Sequence, residues 1–343
     1  MKGLQAVFGH VHGIQAAALI RDGQLDDLLI DSPENRIRSG SIFRAKALRS
    51  MKGQGGTILE TSQGNLFLRN AKGIAPGQTI IVQSGSYAEP GKAMPATQKL
   101  VLKSRYCLAT PDAPGLNISK MVKDEDRRVA LREILASANP PPETGIVVRS
   151  AALSADDTTI RDDIAAIVNL AHRISSEPNA GSPELLLEGP DAQTLAWRDW
   201  PTPDSTTDVP EAMDQFGVLD RVDQLRRAEM PLDNSGVAYV EPTRAFVAID
   251  VNTSGDTSPA AGLKANMALI RGLTRELRLR GLGGQIVLDL APMPKRDRRL
   301  VEQQFRTAFR RDAIETMLVG WTPFGHLEIQ RKRERLPLFE VLP

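Results

Sequence analysis

The chain opens with apolar stretches (AVFGHV, IQAAALI and LDDLLID) separated by polar turns. The turn Arg21-Asp22-Gly23-Gln24 carries the Asp-Gly signal of a tight hairpin, so three strands are expected within residues 1–36. From about residue 39 to 104 come the short apolar segments SIFRAKAL, GGTILET, GNLFLRN, QTIIVQSG and QKLVLKS, punctuated by glycines. That rhythm predicts a small all-β barrel of OB type. Helical periodicity returns at 124–138, with Asp124 as N-cap, and stops at Pro140-Pro141-Pro142. A strand GIVVRSAAL and an amphipathic helix over 155–176 follow, then the linker-like SSEPNAGSP, a strand ELLLEG and a helix around 192–200. The Pro- and Asp-rich stretch 200–215 reads as an exposed loop, and 218–230 as helix. The last third alternates the two types: strands VAYVE and AFVAIDVN, helix 263–280, strand QIVLDL, helix 297–312, strands ETMLVGW and HLEIQRK. That pattern describes a compact α/β region.

Two of those strands end in a carboxylate. Asp250 and Asp289 each follow an apolar run of the kind expected in a strand buried on both faces. An ionised carboxylate there needs a cation, hydrogen bonds or a place at the strand's exposed end. Strand alternation puts Asn252 on the same face as Asp250. Two carboxylates and an amide carbonyl are hard oxygen donors, suited to Mg2+ with Mn2+ as the alternative. The competing reading is that each Asp merely caps the following loop; two such residues on strands joined by one helix make the two readings comparable.

Composition narrows the class only slightly. The 343 residues are 41% hydrophobic and 25% charged, as in a globular protein of two or three domains. No apolar run is long enough to cross a membrane, and His10 and His12 within the first apolar stretch argue against a signal peptide. One cysteine, Cys107, excludes a disulfide framework and a multi-thiolate zinc site within one chain, so a cytoplasmic protein is expected. Net charge is +1, but unevenly spread: residues 151–223 hold fifteen acidic against four basic residues, and 291–335 eleven basic against six acidic. Such separation suits a polyanion-facing surface, or simply solvated helix faces.

The segments AFVAIDVNTSG, ELRLRGLGGQIVLDLAPM and PFGHLEIQRKR resemble the catalytic region of the ribonuclease E/G family of endoribonucleases, closely over 234–335 and more loosely elsewhere. The resemblance implies an α+β multidomain chain. An RNase H-like subdomain (1–36 and 184–225) would be interrupted by an OB-type RNA-binding barrel (37–104) and a sensor of the RNA 5′ end (105–183). A DNase I-like catalytic subdomain (226–343) would follow. It also implies Mg2+-dependent cleavage of single-stranded RNA to 5′-phosphate and 3′-hydroxyl ends. Asp250 and Asp289 would be metal ligands and, with Asn252, the catalytic set. Arg149 and Ser150, in GIVVRS, and Leu108 would hold a 5′-monophosphate. Lys92 in the barrel, with Lys295, Arg296, Arg331 and Arg333 in the basic clusters, would follow the RNA backbone.

The departures bear on substrate range. The Cys-Pro-x-Cys zinc link of larger members is not in this sequence, so zinc is not an expected cofactor, although a homodimer without the link is compatible. Thr57 stands where a base-stacking aromatic would lie, with Leu66 and Phe67 near the other, and Gly281 replaces an acidic residue in LRLR-x-LGG. These changes leave a second reading open, an RNA-binding or ribosome-associated protein with weak catalysis. His326 could approach phosphate, though a partly buried structural histidine is the expectation, and Trp197, Trp200 and Trp321 are expected in packing roles.

Overall fold

The computed structural model describes residues 2–34, 36–256 and 258–342. The chain divides into two compact units, Met1–Ser32 with Pro203–Pro343, and the intervening Pro33–Thr202. The first begins with the antiparallel strands β1 (Leu4–Val11), β2 (Ile14–Arg21) and β3 (Gln24–Ile30). Arg21 pairs with Gln24 across the turn, and Asp22 and Gly23 have φ of 49° and 80°. Both central residues of a type I′ turn need such values, which is why Asp-Gly marks the hairpin.

In the second unit, β4 (Ile42–Met51), β5 (Gly56–Thr61), β6 (Gly64–Arg69), β7 (Thr79–Ser84) and β8 (Met94–Thr97) pair in the order β4-β5-β6-β8-β7. Further pairing of β4 with β7 closes a five-stranded barrel, consistent with the OB type, around Phe43, Leu59, Leu66 and Val82. Four of its strands are those expected. The fifth is β8 rather than QKLVLKS, of which only β9 (Leu102–Lys103) is strand, paired with β10 (Cys107–Thr110). With β11 (Gly115–Ile118) and β12 (Gly145–Val148) they form a separate sheet. Helix α1 (Glu125–Ser137) starts where Asp124 accepts the Arg127 N–H at 2.9 Å, and α2 (Asp157–Ser175) is capped likewise by Asp156. Their apolar stripes, including Leu131, Ile134, Ile160 and Ile164, share a core with this sheet. β13 (Glu184–Leu187) adds to β4, and α3 (Ala192–Asp199) ends the unit. The stretch 184–225 is therefore divided between the two units.

Back in the first unit, β14 (Ser205–Thr207) runs parallel to β1, followed by α4 (Ala212–Gln215) and α5 (Val218–Leu225). α5 is shorter than its pattern suggested, because Met230 lies in β15 (Glu229–Pro231). Then come β16 (Gly236–Pro242), β17 (Val247–Thr253), α6 (Ala261–Leu279), β18 (Gly284–Asp289), α7 (Arg298–Arg311), β19 (Thr316–Trp321), β20 (Leu327–Arg331) and the short α8 (Leu338–Val341). The strands form one sheet in the order β15-β16-β17-β18-β20-β19. Only β17 and β18 are parallel, joined by the α6 crossover.

One face of this sheet packs on α6 and α7: Val240, Ile249, Val251, Ile286, Leu288 and Ile329 meet Leu269, Leu273, Leu277 and Phe305. The other face is open. Ala248 and Val287 are half-buried there, while Asp250, Asn252, Gln285 and Asp289 are exposed. Burial of β17 and β18 on both faces is thus not what occurs. A mostly antiparallel sheet with helices on one side leaves its other side to solvent. Gly281 ends α6 at φ +67°, with Leu282 N–H bonded to the Leu277 carbonyl at 2.8 Å, a left-handed helix stop. A Cβ there would lie 2.1 Å from the Leu336 carbonyl oxygen. The acidic residue that Gly281 replaces in the family resemblance would have no room here.

Candidate functional site

Asp250 and Asp289 are direct register partners across β17 and β18. Partners on adjacent strands project to the same side of a sheet, and neighbouring strands lie roughly 5 Å apart. Both carboxylates therefore stand side by side on the open face, where the parallel pairing of these strands ends. Asn252, two residues on, donates from Nδ2 to Asp250 Oδ2 at 2.7 Å, which fixes that carboxylate. Tyr239 of β16 is the register partner of Asp250 on its other side. The segment after Asp289 is anchored by buried Asn266 of α6, whose Nδ2 donates to the Ala291 carbonyl and whose Oδ1 accepts the Ala291 N–H, both at 2.9 Å. Gly262, on the first turn of α6, lets that helix approach: a Cβ would sit 1.9 Å from the Pro292 carbonyl oxygen.

Neither carboxylate forms an ion pair with a lysine or arginine among the described residues; the nearest cationic candidate is His326, with Nε2 4.0 Å from Asp289 Oδ1. The histidine was expected in a structural, partly buried role. It is partly buried, its side chain 40% exposed, and it borders Asp289, because the register Leu288 with Leu327 brings the next residues, 289 and 326, opposite each other. The two carboxylate-bearing strands were legible in the sequence, although β17 extends to Thr253; this neighbour was not, since it depends on where β20 begins.

Two carboxylates and an amide fit a hard divalent cation that keeps water in its shell. Among the described residues no three His, Cys, Asp or Glu side chains cluster so as to hold a metal. The donor set thus matches a two-carboxylate site completed by water or a phosphate, and not an all-protein cage.

The basic residues separate into two groups. Lys295 and Arg296 are exposed just beyond Asp289, as are Arg299, Arg306 and Arg310 along one stripe of α7. Arg331, expected on the RNA backbone, is wholly buried. Its Nη1 donates to Asp312 Oδ2 at 2.6 Å and to Thr316 Oγ1 at 2.7 Å, so its role is structural and its placement on RNA is corrected. β20 alternates, and Arg331 falls on the covered side with Leu327 and Ile329. Arg333 is half-buried beside Gly283.

In the other unit, Arg149 follows β12 and its Nη1 donates to the carbonyls of Ser104, Arg105 and Arg198 at 2.6, 3.2 and 3.1 Å. Its Nη2 bonds Asp199 Oδ1 at 2.9 Å. Burial alone would raise Asp199, but Arg198 and Arg149 outweigh it and hold the carboxyl below its ordinary value. Ser150 beside it is exposed, and Leu108 lies on β10 opposite Val147, two residues before Arg149. These three positions are thus close together, but the guanidinium is already engaged. Lys92 pairs with Glu89 and lines a barrel groove of about 720 Å3 with Leu48, Arg49, Ile58 and Asn65. Thr57 points into the barrel and is buried, whereas Ile58 and Phe67 face outward as a register pair. Any apolar platform on that surface is theirs. Trp200 is buried and Trp321 is half-buried, with Arg298 4.3 Å above its ring. Trp197 is 52% exposed, so it is not a core residue.

No helix among the described residues is long and apolar enough to cross a membrane. Residues 101–209 and 204–334 match the family model described as the Ribonuclease E/G family. The chain is similar to a ribonuclease E of Nostoc sp., 24% identical over 384 residues, which cover 95% of this chain and 56% of that protein. It is 26% identical to an Escherichia coli ribonuclease E over 92% of this chain and 35% of the relative. With a Salmonella typhimurium ribonuclease G it shares 22% identity over 95% of this chain and 79% of the relative. The chain spans about half the length of the Nostoc relative and about a third of the Escherichia coli one. The family match takes in both carboxylate-bearing strands and most of the chain, which belongs to the Ribonuclease E/G family.

Proposed function

We propose that this protein is a divalent-metal-dependent endoribonuclease that cuts single-stranded RNA, leaving a 5′-phosphate and a 3′-hydroxyl, in RNA processing or decay. The observation that carries the reading is the pairing of Asp250 with Asp289 on the open face, where the parallel ladder of β17 and β18 ends. Those two carboxylates would hold Mg2+ or Mn2+, and Asn252 would keep Asp250 oriented for it. When bound there, the cation would lower the pKa of a water and offset charge on a phosphoryl oxygen. The chain's own part is positional: the one-sided sheet fixes the carboxylates on a face that RNA can reach. Exposed Lys295 and Arg296 would draw the phosphate backbone toward it, a salt-sensitive and sequence-independent attraction. Arg149 and Ser150 supply donors suited to a 5′-monophosphate. Engagement would require the phosphate to displace Asp199 from Arg149, so discrimination by the 5′ end should be modest.

The test is a short fluorescent RNA carrying a 5′-monophosphate or 5′-hydroxyl, incubated with wild type, Asp250→Asn and Asp289→Asn in Mg2+ or EDTA. Cleavage should need the metal and both aspartates, while RNA binding by the variants stays within a few-fold of wild type. Undiminished cleavage by either variant in Mg2+ would end the proposal. RNA binding without cleavage in wild type would favour the weakly catalytic RNA-binding reading.

A further inference from the structure

We infer that His326 is a catalytic residue of this site, donating an Nε2–H hydrogen bond to a non-bridging oxygen of the scissile phosphate. The inference rests on the nuclease reading above and adds to it a residue that neither carboxylate implies. The imidazole borders Asp289, yet at 4.0 Å its Nε2 is too far to be hydrogen-bonded to that carboxylate. The nearest acid therefore leaves the ring nitrogen's donor capacity unused. The ring is 40% exposed on the open face, so an incoming group can reach it.

The backbone holds the residue in place. The Thr322 N–H donates to the His326 carbonyl at 2.8 Å, the His326 N–H donates to Thr322 Oγ1 at 3.1 Å, and the Gly325 N–H donates to the Thr322 carbonyl at 3.0 Å. A turn closed by three hydrogen bonds, continuing into the β18–β20 register, fixes the His326 backbone, and so the Cβ from which the imidazole projects, beside Asp289 before substrate arrives. Donors fixed in advance and directed at the place where charge develops are what stabilise a phosphoryl transition state. The group of RNA that a cation shared by these two carboxylates would engage most strongly is its anionic phosphate, so the neighbouring donor meets a phosphate oxygen. A neutral imidazole suffices for this role, which involves no proton transfer.

The experiment is single-turnover cleavage by wild type, His326→Leu and His326→Gln. The RNA carries at the cut site either an ordinary phosphate or one of the two phosphorothioate diastereomers. We expect His326→Leu to lower the maximal rate about 10- to 100-fold with little change in half-saturating RNA concentration, as for loss of one transition-state donor. His326→Gln, which keeps an N–H, should recover part of the loss. Sulfur in place of the contacted oxygen should slow wild type more than His326→Leu, a coupling that a purely structural role would not produce. Unchanged melting temperature would exclude misfolding as the cause. Cleavage that needs Asp250 but proceeds equally in His326→Leu, or equal sulfur effects in both proteins for both diastereomers, would overturn the histidine's role alone. Wild-type cleavage surviving Asp250→Asn would overturn the reading of the whole site.

Discussion

β18 and β20 connect two places where the same side chains serve opposite ends. Where Gly284 pairs with Arg331, Asp312 is sealed from solvent between Arg331 and Arg278. Arg278 also holds Asp27 at 3.1 Å, and Arg335 reaches the same carboxylate at 2.9 Å. Burial would depress Arg278, but Asp27, Asp312 and Asp26 more than reverse this and raise it; for Arg331 burial prevails over Asp312 and lowers it. Where Asp289 pairs with Asp250, two like charges stand exposed with no lysine or arginine paired to either among the described residues. The buried acids are compensated from within the chain and bind the terminal segments of the unit together. The exposed pair is left to be compensated from solution, which is the property a metal-dependent site requires.

The largest test of that contrast is thermodynamic. Asp312→Ala strips two buried guanidinium groups of a partner and should cost about 3–5 kcal/mol in urea unfolding, as breaking buried pairs does. Asp250→Asn removes one of two like charges on paired positions and should leave stability unchanged or slightly raised. Equal losses in the two variants would erase the distinction. Arg331→Met should cost less, about 1–3 kcal/mol, the penalty for one unpaired carboxylate oxygen. Arg278 still holds the other oxygen, and Nε and Nη2 of Arg331 have no hydrogen-bond partner to lose.

The basic residues extend the same contrast to binding. Arg296→Ala and Lys295→Ala should not alter melting, but each should reduce the salt slope of RNA affinity by about 0.7 if it neutralises one phosphate of a single strand. Titration of RNA at several salt concentrations reads this directly. An unchanged slope in both variants would place the RNA elsewhere.

What could be read from the sequence follows from how local each signal is. The Asp22-Gly23 hairpin, the Asp124 cap and the strands that carry Asp250 and Asp289 depend on a few adjacent residues, and all are present in the structure, although β17 runs three residues past Asp250 to Thr253. The fifth barrel strand was misplaced because MPAT has little strand character of its own and is strand through pairing with Leu66–Leu68. Arg331 was misread because charge suggests exposure, while its inward orientation follows from the alternation of β20. The place of His326 beside Asp289 could not be read for a similar reason: the two are 37 positions apart in sequence and adjacent only through the sheet register. Burial on both faces was inferred from apolar runs. The number of layers on a sheet is a tertiary property that such runs do not encode.

The smallest expected effect lies in the segment between β17 and α6. Asp256 Oδ1 accepts the Ser258 N–H at 2.8 Å, and its Oδ2 pairs with Lys264 of α6 at 2.9 Å. The Lys264 hydrogen bond, helped by that of Ser258, lowers the carboxyl to about 2. A folded-state value depressed in this way gives stability that is fully present above the unfolded value, near 4, and is lost as pH falls toward 2. At neutral pH the tie between loop and helix should therefore be intact, and Asp256→Asn should barely move the melting temperature. Between about pH 4 and 2 wild type should lose what little the tie contributes, while Asp256→Asn, already lacking the charge, should show a flatter profile over that interval. NMR titration of the Asp256 carboxyl carbon gives the value directly. A midpoint near 4 would mean that the loop is not held to α6, and that the approach to the carboxylate pair is less ordered than its hydrogen bonds indicate.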